Sequence, residues 1–198
     1  MRHSDCDKGY IVMIILLIRH GMTAGNLTKR YIGKTDEPLC EAGIRQLQSC
    51  CFPACDALAA SPMRRCVQTA EILFPSQKIV TCKAFRECDF GDFEGKNYAE
   101  LNGDPQYQSW IDSGGEAPFP NGESPAGFRK RCCAGFLQIT AQFAWADSAA
   151  LVVHGGTIMS ILSYFSRPRS SYYDWMTDNA HGWLCRFDKQ ILTVEEKL

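Results

Sequence analysis

The sequence has no apolar run long enough to cross a bilayer. Its longest, Ile11 to Ile18, is eight residues, against the ~20 that a spanning helix needs. It ends in Arg19-His20-Gly21 rather than a small-residue cleavage site, so it does not read as a signal peptide. Charge of one sign is also lacking. Lys and Arg number 21 against 22 Asp and Glu, a formal net charge of -1. A dedicated nucleic-acid binder would show a basic excess or stripe, and a disordered tail a block of like charge. The expected partners therefore include no nucleic acid and no membrane. No two cysteines have C-x-x-C spacing, which excludes zinc ribbons and thioredoxin-type motifs. Cysteine itself is plentiful, at 11 residues. A secreted disulfide framework would be shorter and would carry a signal peptide. These thiols read as small, reduced hydrophobes of a cytoplasmic protein.

What is present is an alternation of strand and helix signals. Ile11 to Ile18 is continuous and rich in β-branched residues, as in a strand covered on both faces of a parallel sheet. Asp56 to Ala60, Lys78 to Thr81 and Ala149 to Val153 are further strands. Trp183 to Phe187 and Ile191 to Val194 suggest a closing hairpin. Helical spacing marks Glu41 to Cys51, Pro62 to Leu73 and Ser124 to Trp145. In the last, Phe128, Cys132, Phe136, Ile139 and Phe143 would share one face. Ser61-Pro62 and Ser124-Pro125 each offer a Ser N-cap with Pro at the first helical position. The expected fold class is α/β, a three-layer α/β/α sandwich around a mostly parallel sheet. Residues 1–12 read as a polar leader, with Met13 an alternative start. Residues 13–198 read as one domain, with a lid-like insertion at about 91–123.

Two of the buried strands end alike. The first runs into Arg19-His20-Gly21 and the later one into His154-Gly155-Gly156. Ligands of open α/β sheets bind outside the carboxyl ends of the strands. If these strands are neighbours, two histidines and an arginine meet in one crevice. Gly21, Gly155 and Gly156 would let backbone N–H groups approach an anion with several oxygens, such as phosphate. Either Arg64 or Arg65 could reach the same crevice from the next helix start. Other phosphate chemistries lack their motifs. There is no P-loop, no Cys-x5-Arg loop, no G-x-S-x-G elbow and no H-E-x-x-H. Asp5-Cys6-Asp7 precedes the first strand, whereas an aspartyl-phosphate motif follows it. Histidine itself remains as the nucleophile, a recognised route to a covalent intermediate.

Six segments in order then resemble the histidine phosphatase, or phosphoglycerate-mutase-like, superfamily. Arg19-His20-Gly21-Met22-Thr23-Ala24-Gly25-Asn26 is similar to its R-H-G-x-T-x-x-N opening. Gly33 to Gly43, Ser61 to Ala70, Phe85 to Gly95, Gly122-Glu123-Ser124 and Val153-His154-Gly155-Gly156 follow. Met22 stands where Glu is common, and Cys40 where Ser or Thr is usual. The resemblance implies that His20 attacks phosphorus and carries the phosphoryl group. Arg19, Arg65 and His154 would clamp its oxygens. Glu87 would be the general acid and base, with Asp89 its rival. Gly21, Thr23, Asn26 and Gly155 would bind substrate. No metal and no cofactor is implied. Like-charge repulsion from Arg19 and Arg65 would keep His20 neutral.

The span from Glu87 to His154 is short for a cofactor-dependent mutase, which favours hydrolysis of a small-molecule phosphate ester. The Tyr31 to Leu39 stretch most resembles the α-ribazole phosphatase branch, making α-ribazole 5'-phosphate the leading substrate expectation. Phosphoglycerate mutase and broad-specificity sugar phosphatase are the alternatives. A phospho-ligand-binding regulatory module is the alternative of another class. Phe93, Tyr98, Tyr107, Trp110 and Phe119 would form either an apolar wall for the leaving group or the insertion's own core. A homodimer is common in the family, although no exposed strand or stripe specifies one.

Overall fold

The computed structural model describes residues 12–198. The Asp5-Cys6-Asp7 segment and nearly all of the expected leader lie outside the described residues. The elements run β1 (Met13–Arg19), α1 (Ala24–Leu27), α2 (Glu41–Gln48), β2 (Ala57–Ala60), α3 (Arg64–Leu73), β3 (Ile79–Thr81), α4 (Pro105–Asp112), α5 (Pro125–Gln142), β4 (Ser148–Val153), α6 (Gly155–Phe165), β5 (Gly182–Asp188) and β6 (Ile191–Lys197). The six strands form one sheet in the order β3-β2-β4-β1-β5-β6. The first four in that order are mutually parallel, and the β5–β6 hairpin closes the edge antiparallel.

The continuous apolar strands are explained by burial on both faces. Ile15 and Leu17 of β1 pack with Leu151 and Val153 against Phe136, Ile139, Ile158 and Ile161 of α5 and α6. The intervening Leu16 and Ile18 pack with Ala150 and Val152 against Cys66 and Ala70 of α3. Period-2 side-chain alternation thus feeds two cores from one strand. Each such fully buried Leu or Ile contributes about 1.5–3 kcal/mol. The predicted face of α5, Phe128 to Phe143, is buried throughout.

One predicted cap is present and the other is not. Ser124 Oγ accepts the Gly127 amide at the start of α5. At α3 the N-cap is Met63 and the helix begins at Arg64, whose amide donates to Asp36 Oδ1 at 2.7 Å. The capping oxygen comes from a distant loop, which leaves Ser61 for the site below. Cys40 does cap α2, its Sγ accepting the Gly43 amide, so sulfur takes the place of the usual hydroxyl.

Residues 91–123, the expected insertion, are mostly loop around α4. Their core is Phe93, Leu101 and Phe119 packed on Phe128 and Cys132 of α5. The ten described cysteines are free thiols, six of them buried. Among the described residues no helix is long and apolar enough to cross a membrane.

Candidate active site

Three strand ends meet. The His20 amide donates to Val153 O, and the Ser61 amide to Val152 O. The carboxyl ends of β1, β4 and β2 therefore present Arg19-His20, His154 and Ser61 side by side. The two histidine rings meet edge to face, with centroids 5.2 Å apart.

His20 is buried, and its Nδ1 lies 2.7 Å from Gly21 O. A carbonyl can only accept, so Nδ1 carries the proton and Nε2 keeps a free lone pair. Burial, and then the Arg65 guanidinium, hold the His20 pKa well below its ordinary 6.5. Desolvation outweighs the like-charge repulsion that sequence reasoning had placed first. The result is a neutral imidazole poised as a nucleophile.

The clamp is built from backbone. Arg65 Nη1 donates to Thr35 O at 2.9 Å and Nη2 to Gly33 O at 3.1 Å. Arg19 Nη1 donates to Thr177 O at 2.7 Å. The Nε atoms of both arginines are buried without a partner. Two oriented, unsatisfied N–H donors beside a neutral histidine suit a multi-oxygen anion. Arg64 starts α3 outside this arrangement, and Arg65 is the arginine that enters it.

His154 is fully buried. Its Nε2 lies 2.8 Å from Ser61 Oγ, and its Nδ1 is 3.9 Å from Glu87 Oε2. Ser61 Oγ also accepts the Met63 amide, which ties the His154–Ser61 pair to the start of α3. Burial, and then Arg65, also lower the His154 pKa well below 6.5. Glu87 shows the opposite shift, because burial raises its carboxyl pKa. A carboxyl that holds its proton can donate it to a leaving oxygen. Asp89 differs. It accepts the Gly91 amide and pairs with Lys34 in an exposed position, which lowers its pKa. Geometry thus separates two carboxylates that the local sequence could not.

Thr23 caps α1, accepting the Asn26 amide, and Asn26 Oδ1 accepts from the Thr23 amide and hydroxyl. Asn179 Nδ2 donates to His20 O at 2.9 Å and to Asn26 Oδ1 at 3.2 Å. This fixes the Asn26 carbonyl oxygen and directs its amide nitrogen elsewhere. Gly21 departs from expectation. Its amide donates to Thr69 Oγ1 at 3.0 Å, so it positions the loop and does not face a ligand. A Cβ there would come within 2.7 Å of Leu47 Cδ1. Gly155 and Gly156 open α6, where the first amides have no intrahelical partner. A Cβ at Gly156 would press on Glu87 Oε1 and the Phe128 ring at 3.0 Å.

Sequence reasoning missed several supporting residues. Ser61, read as a helix cap, orients His154. Arg131 pairs with Glu123 through two 2.7 Å contacts and donates to the carbonyls of Ala84, Arg86 and Glu87. It pins the segment that carries Glu87. Thr69 lies in the Ser61 to Ala70 motif but was given no role there, and Asn179 had no local signal at all.

Beside the crevice, sharing Glu87 and Gly156 as a wall, lies a cavity of about 200 Å³. Tyr31, Phe90, Trp110, Phe119, Phe128 and Tyr172 supply its aromatic lining. The two readings of the insertion aromatics divide. Phe93 and Tyr107 belong to the insertion's core, edge to face at 5.3 Å. Trp110 and Phe119 reach the cavity, and Tyr98 is exposed. Among the described residues no group of three or more His, Cys, Asp or Glu could hold a metal.

The sequence profile of the histidine phosphatase superfamily (branch 1) matches residues 15–196. The chain belongs to the histidine phosphatase superfamily. As a histidine phosphatase it has relatives on both sides of the hydrolase and mutase divide. It is 31% identical over 159 residues to the uncharacterized phosphatase PhoE of Bacillus subtilis, covering 77% of each chain. It is 33% identical over 120 residues to a Proteus mirabilis protein named "Probable phosphoglycerate mutase GpmB". That match spans 56% of this chain and about half, 55%, of the relative. In fold it is similar to the crystal structure of the alpha-ribazole phosphatase from Shigella flexneri, with a TM-score of 0.82. The superposition covers 93% of this chain and 96% of that one at 22% identity.

Proposed function

We propose that this histidine phosphatase hydrolyses a small phosphate monoester through a phosphohistidine at His20. One observation carries the reading. The hydrogen bond from Nδ1 to Gly21 O leaves a neutral Nε2 lone pair beside two arginines with unsatisfied Nε donors. In the first step Nε2 attacks phosphorus. The N–P bond forms, the ester P–O bond breaks, and the leaving alkoxide takes the Glu87 proton. In the second step the Glu87 carboxylate takes a proton from water as that water attacks phosphorus. The N–P bond breaks, orthophosphate leaves, and Glu87 is protonated again. Arg19, Arg65 and His154 bear the charge on the equatorial oxygens, with the Gly155 amide at the helix N-terminus. Thr23, fully buried with its hydroxyl committed to Asn26, orders the loop, and the Asn26 amide nitrogen binds the phosphate or an adjacent substrate hydroxyl.

The leading substrate is α-ribazole 5'-phosphate. The aromatic cavity next to Glu87 supports a ring-bearing leaving group, and the structural likeness to an alpha-ribazole phosphatase is in keeping with it. Phosphoglycerate mutase is the second reading, favoured by the likeness to the Proteus relative. A panel of α-ribazole phosphate, phosphoglycerates, sugar phosphates and phosphopeptides, with mutase activity read in parallel, tests these readings. Acid-quench trapping of a phosphoenzyme separates all of them from a non-catalytic phospho-ligand sensor.

A further inference from the structure

The loop that carries the nucleophile and the helix that carries Arg65 are joined through one buried hydroxyl, that of Thr69. Arg65 and Thr69 stand one turn apart on α3, and both are buried. Thr69 Oγ1 lies 2.6 Å from Arg65 O and 3.0 Å from the Gly21 amide nitrogen. A carbonyl only accepts and an amide only donates. The hydroxyl proton therefore points to Arg65 O, and an oxygen lone pair faces the Gly21 N–H. Gly21 is also the residue whose carbonyl accepts from His20 Nδ1 at 2.7 Å. The peptide that bears this carbonyl lies between two anchored ones. In the preceding peptide, His20 O accepts from the Ala180 amide and Asn179 Nδ2, and the amide pole is held by Thr69. In the following peptide, Met22 O accepts the Cys40 amide at 3.0 Å. A Cβ at Gly43 of α2 would come within 2.3 Å of that Met22 oxygen.

A glycine does little to aim its own carbonyl, because no Cβ restricts its φ and ψ. The direction of Gly21 O therefore depends on how firmly its neighbours are held. That direction matters to the chemistry. While Gly21 O faces the ring, Nδ1 keeps the proton and Nε2 keeps the lone pair. Once it turns away, the imidazole loses the acceptor that selects this tautomer. We infer that Thr69 is a positioning residue for the nucleophile, its hydroxyl fixing the Gly21 backbone so that His20 presents a bare Nε2. The same hydroxyl ties this loop to the helix turn that carries Arg65. Nucleophile and clamp thus share an anchor, and the spacing between them is set before substrate arrives. Removing the hydroxyl would leave the buried Gly21 amide without its acceptor. Thr69 acts through Gly21 and Arg65, not on substrate. The inference rests on the phosphatase reading above.

The test pairs Thr69→Val, which keeps the shape and removes the hydroxyl, with Thr69→Ser, which keeps the hydroxyl. Rapid-quench phosphoenzyme formation from p-nitrophenyl phosphate gives two readings. The amplitude counts competent enzyme, so a partial folding loss appears there, and the rate constant reports the chemical step. Thr69→Val should lower the rate constant about ten- to a hundredfold with KM little changed. Thr69→Ser should restore most of that loss. Isotope-edited NMR of the ring nitrogens, with His20 assigned by its absence in His20→Ala, reads the tautomer directly. It should show His20 protonated on Nδ1 in the wild type and a mixture of tautomers in Thr69→Val. Thr69→Ala carries the same expectations and takes its place should Thr69→Val not fold. A rate constant unmoved by loss of the hydroxyl overturns the inference, as does a loss that Thr69→Ser fails to restore. A slower variant with an unchanged His20 tautomer also overturns it, since a merely structural role would give that result. In all three cases phosphoenzyme still forms and the phosphatase reading stands. A wild type that traps no phosphoenzyme overturns the phosphatase reading itself.

Discussion

The phosphate crevice and the aromatic cavity share a wall at Glu87 and Gly156, yet they are built in opposite ways. The crevice sits on three strand ends, and its side chains are oriented by backbone carbonyls, from Gly21, Gly33, Thr35 and Thr177. Such partners cannot change rotamer, so the reacting groups are held before substrate arrives. The cavity is assembled from the insertion, α5, and the segment after α6. Its walls are side chains packed on other side chains, such as Trp110 on Phe119 with ring centroids 5.2 Å apart. One region is arranged for charge that develops at phosphorus. The other is arranged for shape, with a largely aromatic wall. Chemistry and selectivity should therefore separate under mutation.

The sharpest break is His20→Ala. It should lower kcat by about 10⁴-fold or more and abolish phosphoenzyme trapping, as removing a covalent nucleophile does. Retained turnover in a rapid-quench assay would show that the crevice does not work through His20. Next is Glu87→Gln. Alkyl esters, which need a proton on the leaving oxygen, should slow about 10²–10⁴-fold. An activated aryl ester such as p-nitrophenyl phosphate should slow far less. Equal losses on both would remove the general-acid assignment.

Ser61→Ala should cost about tenfold in kcat with little change in KM, because it frees His154 to rotate without touching substrate. Recovery in Ser61→Thr, which keeps the hydroxyl, separates orientation from general damage. On the cavity side, Trp110→Ala should raise KM for ring-bearing esters about three- to thirtyfold and leave kcat nearly unchanged, a loss of uniform binding. If kcat falls instead, the two regions are not separable as described.

The smallest expected effect is on stability. His20 and His154 are buried neutral, with folded pKa values below their unfolded 6.5. Above that pH neither state takes up the protons, and stability is unaffected. As pH falls through 6.5 the unfolded chain binds protons that the folded chain refuses, so stability declines. Thermal unfolding midpoints across pH 5–8 should drop on the acid side. The drop should be smaller in His154→Gln.

Much of the site was legible because it lies where parallel strands end. His20 and His154 follow continuous apolar runs, and a parallel sheet brings such ends together. The fold class followed from the same runs, and the aligned face of α5 from its spacing. The misreadings have one cause. Ser61 looks locally like a helix cap, but Asp36 supplies the cap and Ser61 meets His154, 93 positions away. The Gly21 amide looks free until Thr69 accepts it.

By itself the sequence determined the order of strands and helices, the apolar periods that bury β1 and β4 on both faces, and which chemically competent residues stand at the strand ends. Those are properties of local spacing. The resemblance already named Arg65 and Glu87; only the tertiary structure showed that burial raises the Glu87 carboxyl pKa and which side chains hold His154 and Asn26. Each of those outcomes depends on burial and on partners far along the chain, such as Asn179 at 159 positions from His20. Desolvation and hydrogen-bond geometry exist only once those distant segments have packed together.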